Sequence, residues 1–494
     1  MTSWSEWSAS SGAGPGQSCV ALDDGLRTWN RADLMHEVQL LAKRLVAGRT
    51  KTLATLMDNS PAWVVADLAA SVATLTHVPL PTFFTAEQIA HALQSAGVDT
   101  LLVPAALAVR WPKVSEQTCD VAGQSLAILR LSPMSVEMPP GTAKITFTSG
   151  TTGTPKGVCL DARSIGQVSD SLVRALEPLG IRRHLCALPF AVLLENIAGL
   201  MAPLAYGATC ITLPLHRLGL TGSSSFDPAV FHDAVVQYQP QSVILLPQML
   251  RAWVGHVQQS GQRAPGSLKL VAVGGAAVGG KLIHAARALG IPAYEGYGLS
   301  EGASVQTLNR PGSDCPGSAG RPLPHAQVRV TGDGEIEITG SLFAGYLGNP
   351  TPPSKWWPTG DLGWIDAEGF VHIHGRKKHL LITTFGRNVS PEWVETALCS
   401  SKAIAQAAVF GDAEPALSAV LWPVHSSTPD AVLQSAVDAI NAGLPDYARV
   451  QRWVRARATF SPESGFATAN GRPQRAAIWQ AHADDLKSAN LETT

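Results

Sequence analysis

The stretch Ile145-Thr-Phe-Thr-Ser-Gly-Thr-Thr-Gly-Thr-Pro-Lys-Gly-Val158 joins an apolar, strand-like run to a loop of glycines and small hydroxyl residues with one lysine. Glycines let backbone N–H groups approach phosphate oxygens, hydroxyls donate further hydrogen bonds, and a lysine adds positive charge. The loop is not a Walker A motif, because no Gly-Lys-Ser/Thr follows a glycine at the required spacing. A flexible linker is the alternative interpretation, but we favour a strand followed by a phosphate-binding loop. Its predicted ligands are Thr148, Ser149, Gly150, Thr151, Thr152, Gly153 and Lys156.

The length and composition of the chain limit the classes of protein to which it can belong. Its 494 residues suggest about three domains or subdomains. Lys and Arg number 37 and Asp and Glu number 38, and the resulting net charge of −1 argues against nucleic acid or an anionic membrane surface as the main partner. Charged residues make up 15% of the chain and hydrophobic residues 45%, which excludes wholesale disorder.

The cysteines and the N-terminus predict a cytoplasmic protein. The seven cysteines are scattered, without a Cys-x-x-Cys pair or histidines at zinc-ligand spacing, so we expect reduced, mostly buried thiols. The segment from Met1 to Gln17 lacks the basic region and the apolar core of a secretory signal. The uncharged stretch from Ile197 to Leu215 is interrupted by glycines and prolines, which favours a helix, a turn and a buried strand over a membrane span.

The order of apolar runs along the chain predicts an α/β protein. Short strand-like runs such as Thr52–Leu56 and Ser242–Leu246 alternate with helical patterns such as Arg31–Val46, as in layered domains with mostly parallel sheets. Between Gly334 and His374, short strands are separated by glycine-rich turns, which indicates an antiparallel or barrel-like section. The strand-turn-helix pattern after Lys377 predicts a separate small α+β domain.

The segment Ser149-Gly-Thr-Thr-Gly-Thr-Pro-Lys-Gly157 resembles the signature of the adenylate-forming (AMP-binding) superfamily, which includes acyl-CoA synthetases, luciferases and peptide-synthetase adenylation domains. The resemblance implies a large N-terminal AMP-binding domain, residues 1–376, with layered α/β subdomains and a small β-barrel-like subdomain. It also implies a small mobile C-terminal α+β domain, residues 377–494, with a hinge near Lys378 in Gly375-Arg-Lys-Lys378.

Two further motifs resemble the nucleotide site of the superfamily. Gly296-Tyr-Gly-Leu-Ser-Glu301 implies an aromatic ring near adenine and a glutamate that holds Mg²⁺ together with Thr148. Thr359-Gly-Asp361 implies a carboxylate that accepts hydrogen bonds from both ribose hydroxyls. By themselves, Gly-Tyr-Gly and Thr-Gly-Asp are ordinary turns. Besides the phosphate loop, the resemblance assigns to ATP the residues Gly296, Tyr297, Gly298, Ser300, Asp361 and Arg376.

Other segments resemble the acyl and thiol sites of the superfamily. Ala272-Val-Gly-Gly-Ala276 is similar to the wall between the acyl and adenine pockets, and Phe385-Gly-Arg-Asn-Val-Ser-Pro-Glu392 to a loop that lines the thiol-acceptor tunnel. The resemblance therefore assigns Val192, Gly274, Gly275 and Ala276 to the acyl pocket and Gly386, Arg387 and Asn388 to the thiol-acceptor tunnel.

The sequence departs from the superfamily at two positions. In Thr468-Ala-Asn-Gly-Arg472, an arginine occupies the place of the lysine that contacts the acyl carboxylate and the α-phosphate. Arg472 either performs that role, because it keeps the positive charge, or weakens adenylation, because a planar guanidinium differs from a compact ammonium. We expect it to be catalytic together with Lys156 and Glu301. In Leu188-Pro-Phe-Ala-Val192, a valine replaces a histidine that long-chain enzymes often carry, so the gate between the ATP and acyl pockets would be apolar.

The resemblance is closest to the fatty acyl-CoA synthetases, or long-chain fatty acid–CoA ligases. An amino acid substrate would require a buried Asp after Pro189, and Val192, Leu193 and Leu194 offer none, so we expect a fatty acid of medium or long chain or another apolar acid. The implied reaction consumes ATP with Mg²⁺, forms acyl-AMP and transfers the acyl group to a thiol, for which we favour CoA. The alternatives are transfer to a phosphopantetheinyl carrier protein or an amine, and a catalytically weak adenylate-binding homologue.

Overall fold

The computed structural model describes residues 19–148, 156–222, 225–349, 351–382, 388–412, 414, 416–468 and 471–488. In these ranges a large N-terminal unit of mixed α/β structure is followed by a small C-terminal unit, so the predicted fold class is confirmed. All seven cysteines are free thiols, and four of them are buried.

An eight-stranded sheet carries the strand that leads into the phosphate loop. In spatial order its strands are β21 (Gly345–Tyr346), β9 (Lys156–Asp161), β8 (Thr142–Thr148), β4 (Thr76–Pro79), β3 (Thr52–Thr55), β5 (Thr100–Pro104), β7 (Gln124–Arg130) and β6 (Ser115–Val121). The central strands β4, β3 and β5 are parallel and almost wholly buried, as expected of strands with helices on both faces. Strands β8 and β9 are antiparallel, so the two ends of the phosphate loop lie side by side.

A nine-stranded sheet forms the second layer. In spatial order its strands are β18 (Arg321–Pro322), β17 (Ser304–Leu308), β16 (Ala293–Leu299), β15 (Leu270–Val273), β14 (Ser242–Leu245), β10 (Arg183–Leu185), β11 (Thr209–Ile211), β1 (Val20–Asp23) and β2 (Thr28–Asn30). The run from β16 to β1 is parallel. The carboxyl ends of these parallel strands therefore meet along one edge, where α/β proteins bind their ligands.

Helices cover the two sheets and complete the C-terminal unit. They are α1 (Arg31–Ala47), α2 (Pro61–Val72), α3 (Ala86–Ser95), α4 (Ala162–Leu176), α5 (Ala202–Tyr206), α6 (Pro228–Tyr238), α7 (Pro247–Ser260), α8 (Gly280–Ala288), α9 (Pro391–Leu398), α10 (Asp430–Asn441) and α11 (Arg475–Ser488). Local signals start several of them. The Asn30 side chain accepts a hydrogen bond from the Asp33 N–H at the start of α1, and Thr85 and Gln88 form a capping box at α3.

The uncharged stretch after Ile197 forms a helix, a turn and a strand, as predicted. A π-helical segment, Glu195–Met201, continues directly into α5, and Gly207 then adopts a φ of 86° that ends the helix before β11. Among the helices of the described ranges, none combines the length and the apolar character needed to cross a bilayer.

The later part of the chain is antiparallel and then mixed. The strands β19 (Ala326–Val330), β20 (Glu335–Gly340), β22 (Trp357–Ile365) and β23 (Val371–Arg376) form an antiparallel sheet, and β12 (Leu220–Thr221) pairs with β13 (Ser225–Phe226). In the C-terminal unit, β24 (Leu381–Ile382) pairs with β25 (Asn388–Val389), and β26 (Ile404–Phe410), β27 (Leu417–Pro423) and β28 (Val450–Arg455) form a three-stranded sheet.

The C-terminal unit packs against α7 and α8. The Arg251 guanidinium donates a hydrogen bond to the Cys399 carbonyl, and Lys281 Nζ lies 3.3 Å from Ser400 Oγ. These contacts place the small unit over the edge of the nine-stranded sheet. The domain boundary at residue 376 and the hinge at Lys378 stay predictions.

A buried polar network ties the two layers together. Asp67 on α2 accepts hydrogen bonds from Lys144 Nζ on β8 at 2.7 Å and from Asn196 on the π-helical segment at 3.1 Å, and its Oδ1 lies 2.6 Å from His77 Nδ1 on β4. Asp67, His77, Lys144 and Asn196 are all at most 6% exposed. Burial by itself would raise the pKa of Asp67, but Lys144 and His77 lower it well below its usual range. The network therefore holds an ion pair in the core.

Replacing Asp67 tests how much this network contributes. In Asp67→Asn the Lys144 ammonium loses its buried counter-charge, and we expect the free energy of unfolding to fall by about 3 to 5 kcal/mol. Urea unfolding followed by tryptophan fluorescence measures the change. The control is Asp430→Ala, which breaks the exposed pair with Arg455 and should cost less than about 1 kcal/mol. Equal losses in the two variants would contradict the prediction.

Candidate active site

The phosphate loop is anchored at both ends by the β8–β9 hairpin. Thr148, the last residue of β8, is the cross-strand partner of Lys156, the first residue of β9. Lys156 Nζ lies 5.8 Å from the centre of the Tyr346 ring. Thr148 and Lys156 both line a large cavity of about 2060 Å³. The other predicted phosphate ligands, Ser149, Gly150, Thr151, Thr152 and Gly153, lie outside the described residues.

Glu301 lies beside this hairpin. It belongs to a single 3₁₀ turn, Ser300–Gly302, and both Ser300 and Glu301 line the cavity. The hydroxyl of Tyr346 donates a hydrogen bond to Glu301 Oε1 at 2.8 Å. Burial and the Glu301 charge raise the pKa of Tyr346, so this tyrosine stays a donor. Tyr346 thus connects Lys156 and Glu301, which are far apart in sequence, and the motifs gave no signal for it.

Asp361 lies between an arginine and a tyrosine. Its Oδ1 forms an ion pair with Arg376 Nε on the adjacent strand, at a distance of 2.7 Å. Its Oδ2 accepts a hydrogen bond from the Tyr297 hydroxyl at 2.6 Å. Arg376 also donates to the Thr359 carbonyl at 3.0 Å. Burial raises the pKa of Asp361, while Arg376 opposes that shift. The structure therefore brings together Tyr297, Asp361 and Arg376, as the motifs predicted.

The two glycines beside Tyr297 are required by backbone packing. A Cβ on Gly298 would lie 1.9 Å from the Ser304 carbonyl oxygen, and one on Gly296 would lie 3.1 Å from the Thr307 carbonyl oxygen. The pairing of β16 with β17 shifts register between Tyr297 and Gly298. These close contacts hold the strand that carries Tyr297 toward Asp361.

Arg472 comes to this site from the C-terminal unit. A turn positions it, since the Arg472 N–H donates to Thr468 Oγ1 at 3.2 Å, and a Cβ on Gly471 would lie 3.1 Å from Gln248 Nε2 on α7. Solvent reaches the side chain in the cleft. Burial and the charge of Arg376 nevertheless lower the pKa of Arg472, and the Asp361 and Glu301 carboxylates oppose them.

Lys378 adds a further positive charge. It lies in a short 3₁₀ turn, Lys377–His379, and lines the same cavity. Burial lowers the pKa of Lys378, and the positive charges of Arg376, Arg472 and Lys156 lower it further. Near Glu301 and Asp361, the side chains of Lys156, Arg376, Lys378 and Arg472 form a group of cations suited to a polyanion such as a nucleotide triphosphate. The described lining of the cavity also carries Arg251, Arg475 and further carboxylates such as Glu295, Glu392 and Glu395.

An apolar tunnel opens from the cleft into the large unit. Its mouth lies at Gly274, where an added Cβ would meet Leu194 at 3.9 Å, and Gly275, Ala276 and Val192 also line the cavity. Their assignment to an acyl pocket stays a prediction. The helical wall carries Leu194, Ala198, Ala202 and Tyr206 at four-residue spacing. The sheet wall carries Ala272, Ile244, Leu270, Ser242 and His184. The sequence motifs identified the mouth of this tunnel and not its course.

Other parts of the predicted site are less complete. Gly386 and Arg387 lie outside the described residues, and Asn388 begins β25, where it pairs with Ile382. Glu295 is another cavity residue that the sequence analysis did not identify. It accepts the Val278 N–H at 3.2 Å, and burial raises the pKa of Glu295 to about 7. A carboxylate next to the Gly296 motif was the only signal for it.

The fold and this cleft define a protein of the adenylate-forming class. Residues 11–347 match the family described as AMP-binding enzyme, and residues 378–492 match the AMP-binding enzyme C-terminal domain. The chain belongs to the AMP-binding enzyme family.

Individual relatives cover less of the chain. It is 37% identical over 162 residues to the long-chain-fatty-acid–CoA ligase FadD15 of Mycobacterium bovis, across 32% of this chain and 27% of that protein. It is 32% identical over 297 residues to the 2-succinylbenzoate–CoA ligase of Bacillus velezensis, across 56% of each chain. The matched part thus spans about a quarter to about half of the length of these relatives.

A solved structure is similar over almost the whole chain. The O-succinylbenzoate coenzyme A synthetase (MenE) of Bacillus subtilis, in complex with ATP and magnesium ion, superposes with a TM-score of 0.74 at 23% identity. The superposition covers 97% of this chain and 99% of that one, which supports the fold.

Removing the Asp361 carboxylate tests the nucleotide site. We expect Asp361→Ala to weaken AMP binding by about tenfold or more, because hydrogen bonds to a charged group are lost. Isothermal titration calorimetry with AMP measures the affinity, and circular dichroism checks that the variant is folded. The matched control is Asp366→Ala, which removes a carboxylate paired with His372 outside the cleft. Unchanged affinity in Asp361→Ala would contradict the assignment.

Proposed function

We propose that this protein activates an apolar carboxylic acid with ATP, forms an acyl-AMP and pyrophosphate, and transfers the acyl group to CoA. The observation that carries the proposal is the convergence of Lys156, Arg376 and Arg472, from both units of the chain, beside Glu301 and Asp361 at the mouth of an apolar tunnel. The names of the two relatives, both CoA ligases, support CoA as the acceptor.

In the first step a carboxylate approaches the triphosphate of ATP, and repulsion between these two anions is the main barrier. The acid's carboxylate attacks the α-phosphate and pyrophosphate leaves, which requires no nucleophile from the protein. The chain contributes position and positive charge, which stabilise charge that develops in the transition state. In our proposal Lys156 binds the outer phosphates, Arg472 contacts the α-phosphate and the acid's carboxylate, and Asp361 binds the ribose.

Glu301 and Thr148 suit a magnesium ion. Both offer oxygen atoms to the cavity, and a carboxylate and a hydroxyl are ligands that this hard cation prefers. The bound ion would supply charge neutralisation on the phosphate oxygens. The similar MenE structure holds ATP and a magnesium ion, which supports this proposal.

A fatty acid is the substrate class that the tunnel favours. From Leu194 to Tyr206 its helical wall rises somewhat less than the roughly 18 Å of an α-helix of this length, because Glu195–Met201 is π-helical and rises less per residue. An extended acyl chain would use this length, whereas a single aromatic ring would fill only the part near the mouth. An aryl acid is the second candidate, because one relative acts on 2-succinylbenzoate by its name.

Two parts of this proposal have alternatives: the group that accepts the acyl chain, and the rate of adenylation. A phosphopantetheinyl carrier protein or an amine would replace CoA, and competition among these three for a preformed acyl-AMP distinguishes them. The exchange of lysine for Arg472 motivates a weaker alternative, a protein that binds the adenylate with little catalysis. A cytoplasmic location stays a prediction.

Acid-dependent exchange of pyrophosphate into ATP tests the first step. Across fatty acids, aryl acids and amino acids, we expect exchange with apolar acids, and Arg472→Ala should lower it by about a hundredfold or more, because a transition-state cation is lost. Arg472→Lys should retain exchange. The control Arg457→Ala removes an exposed arginine paired with Asp485 in the same domain and should behave like the native protein. No exchange in the native protein but recovery in Arg472→Lys would favour the weak adenylate-binding alternative.

Blocking the tunnel tests the substrate class. Ala198 lies one helical turn beyond Leu194, and Ala202 lies a further turn away from the mouth. We expect Ala198→Phe to restrict exchange to shorter fatty acids than Ala202→Phe does, because its ring closes the tunnel nearer the mouth. The ratio of kcat/KM across a series of saturated acids measures this. An unchanged chain-length preference in both variants would show that the acid does not occupy this tunnel.

A further inference from the structure

Two polar side chains interrupt the sheet wall of the apolar tunnel. His184 on β10 and Ser242 on β14 are register partners, so their side chains lie side by side on the same face of the sheet. His184 Nδ1 lies 2.8 Å from Ser242 Oγ, and the two residues are 2% and 4% exposed. Most of the cavity lining around them is apolar and includes Leu172, Leu176, Ile181, Ala202 and Leu270. Tyr206 also lines the cavity, and its hydroxyl donates to the Glu177 carbonyl at 3.3 Å.

The pair lies away from the mouth of the tunnel. Ser242 begins β14, and the strand runs toward the cleft through Leu245 to Gln248, which approaches Gly471 beside Arg472. At about 3.3 Å per residue, the start of the strand is roughly 10 Å from its cleft end. A group bound at Ser242 would therefore belong to the distal part of an acyl chain whose carboxylate is at Arg472.

A buried carboxylate lies behind the histidine. Glu195 is fully buried, and its Oε1 is 3.6 Å from His184 Nε2. Both Glu195 oxygens lack a close hydrogen bond among the described residues, and the nearest backbone donors are the N–H groups of Ala187 and Leu188. Gly199 leaves room for this carboxyl, because a Cβ there would lie 2.5 Å from Glu195 Oε1. The packing thus accommodates a buried acid beside His184 and the Cys186 thiol, whose ligand atoms all lie within 4.8 Å of one another.

One hydrogen bond joins His184 Nδ1 and Ser242 Oγ, so the serine hydroxyl keeps a further hydrogen-bonding position toward the tunnel. If Glu195 is ionised, the histidine proton faces it, Ser242 donates to Nδ1, and the serine oxygen can accept a bond from a ligand. If Glu195 is neutral, the histidine proton can lie on Nδ1, which then donates to the serine oxygen, and the serine hydroxyl can donate to a ligand. His184 Nε2 and Glu195 Oε1, at 3.6 Å, are too far apart for a hydrogen bond, so Glu195 acts on the histidine through its charge. A hydroxyl group satisfies both states, because it can donate and accept.

We propose that Ser242, oriented by His184 and Glu195, binds a hydroxyl group on the distal part of the acyl chain, so that the preferred substrates are hydroxylated fatty acids. This inference rests on the proposed function, since it specifies the acid that the adenylating site activates. Ser242 is then a specificity-determining residue, and His184 and Glu195 are positioning residues. A hydroxyl in a tunnel without such a partner would be disfavoured, because its hydrogen bonds to water are lost.

Matched pairs of acids test the inference. Pyrophosphate exchange is measured as kcat/KM for octanoic, decanoic, dodecanoic, tetradecanoic and hexadecanoic acids, each beside its ω-hydroxy derivative. We expect the hydroxylated acid to be preferred by about tenfold at the chain length that brings its hydroxyl to Ser242. In Ser242→Ala this ratio should fall by about tenfold, because the hydroxylated acids lose more of their kcat/KM than the unsubstituted acids do. A merely structural serine would change both series together.

Controls separate the possible outcomes. Ser169→Ala removes a buried hydroxyl on α4 outside the tunnel lining and should leave the ratio unchanged. Unsubstituted acids preferred at every chain length would overturn the inference and leave the proposed function intact. Preference for ω-amino over ω-hydroxy acids would overturn it as well, since an ammonium would pair with Glu195. Exchange with none of these acids would overturn this inference, and the proposed function would fall as well if aryl acids also gave no exchange.

Discussion

The buried ion pair between Asp67 and Lys144 is the constraint on which the geometry of the cleft depends. Lys144 lies on β8, four residues before Thr148 and the phosphate loop, and Asn196, which shares Asp67, lies on the π-helical segment that walls the tunnel. A charge without solvent must keep its partner, so the two elements cannot slide past each other. The same interaction therefore fixes the strand before the phosphate loop against the helical wall of the tunnel.

The π-helical segment gives this wall two faces with different roles. Leu194, Ala198 and Ala202 present small or apolar groups to the tunnel, while Glu195 and Asn196 direct polar groups into the surrounding protein. Such segments often occur at functional sites, because one extra residue per turn rotates the side chains that follow it. In this chain the π-helical segment therefore places Asn196, which bonds to Asp67 in the core, close in sequence to Leu194 and Ala198, which line the tunnel.

The fold class was predictable, and so was the proximity of Asp361 and Arg376, because both rest on local order: glycines where the backbone passes closely, as at Gly298, and motif residues on paired strands. Their role in binding a nucleotide stays a prediction. The rest depends on contacts between distant segments. Nothing near Glu301 in the sequence indicates that Tyr346 donates to it. His184 and Ser242 become neighbours only because β10 pairs with β14. Arg472 was assigned to the site by resemblance alone. Its position near Asp361 depends on how the C-terminal unit packs on the large unit, which the sequence does not indicate.

Four cations from the two units, Lys156, Arg376, Lys378 and Arg472, lie close enough together that the other three lower the pKa of Lys378. Like charges on two separate units repel, so in the proposed reaction the phosphates of ATP would hold the two units together. Departure of pyrophosphate would remove most of that negative charge, and the remaining adenylate would neutralise less of the cluster. The contact between the units would then weaken when the acceptor must approach, which would couple product release to the next step.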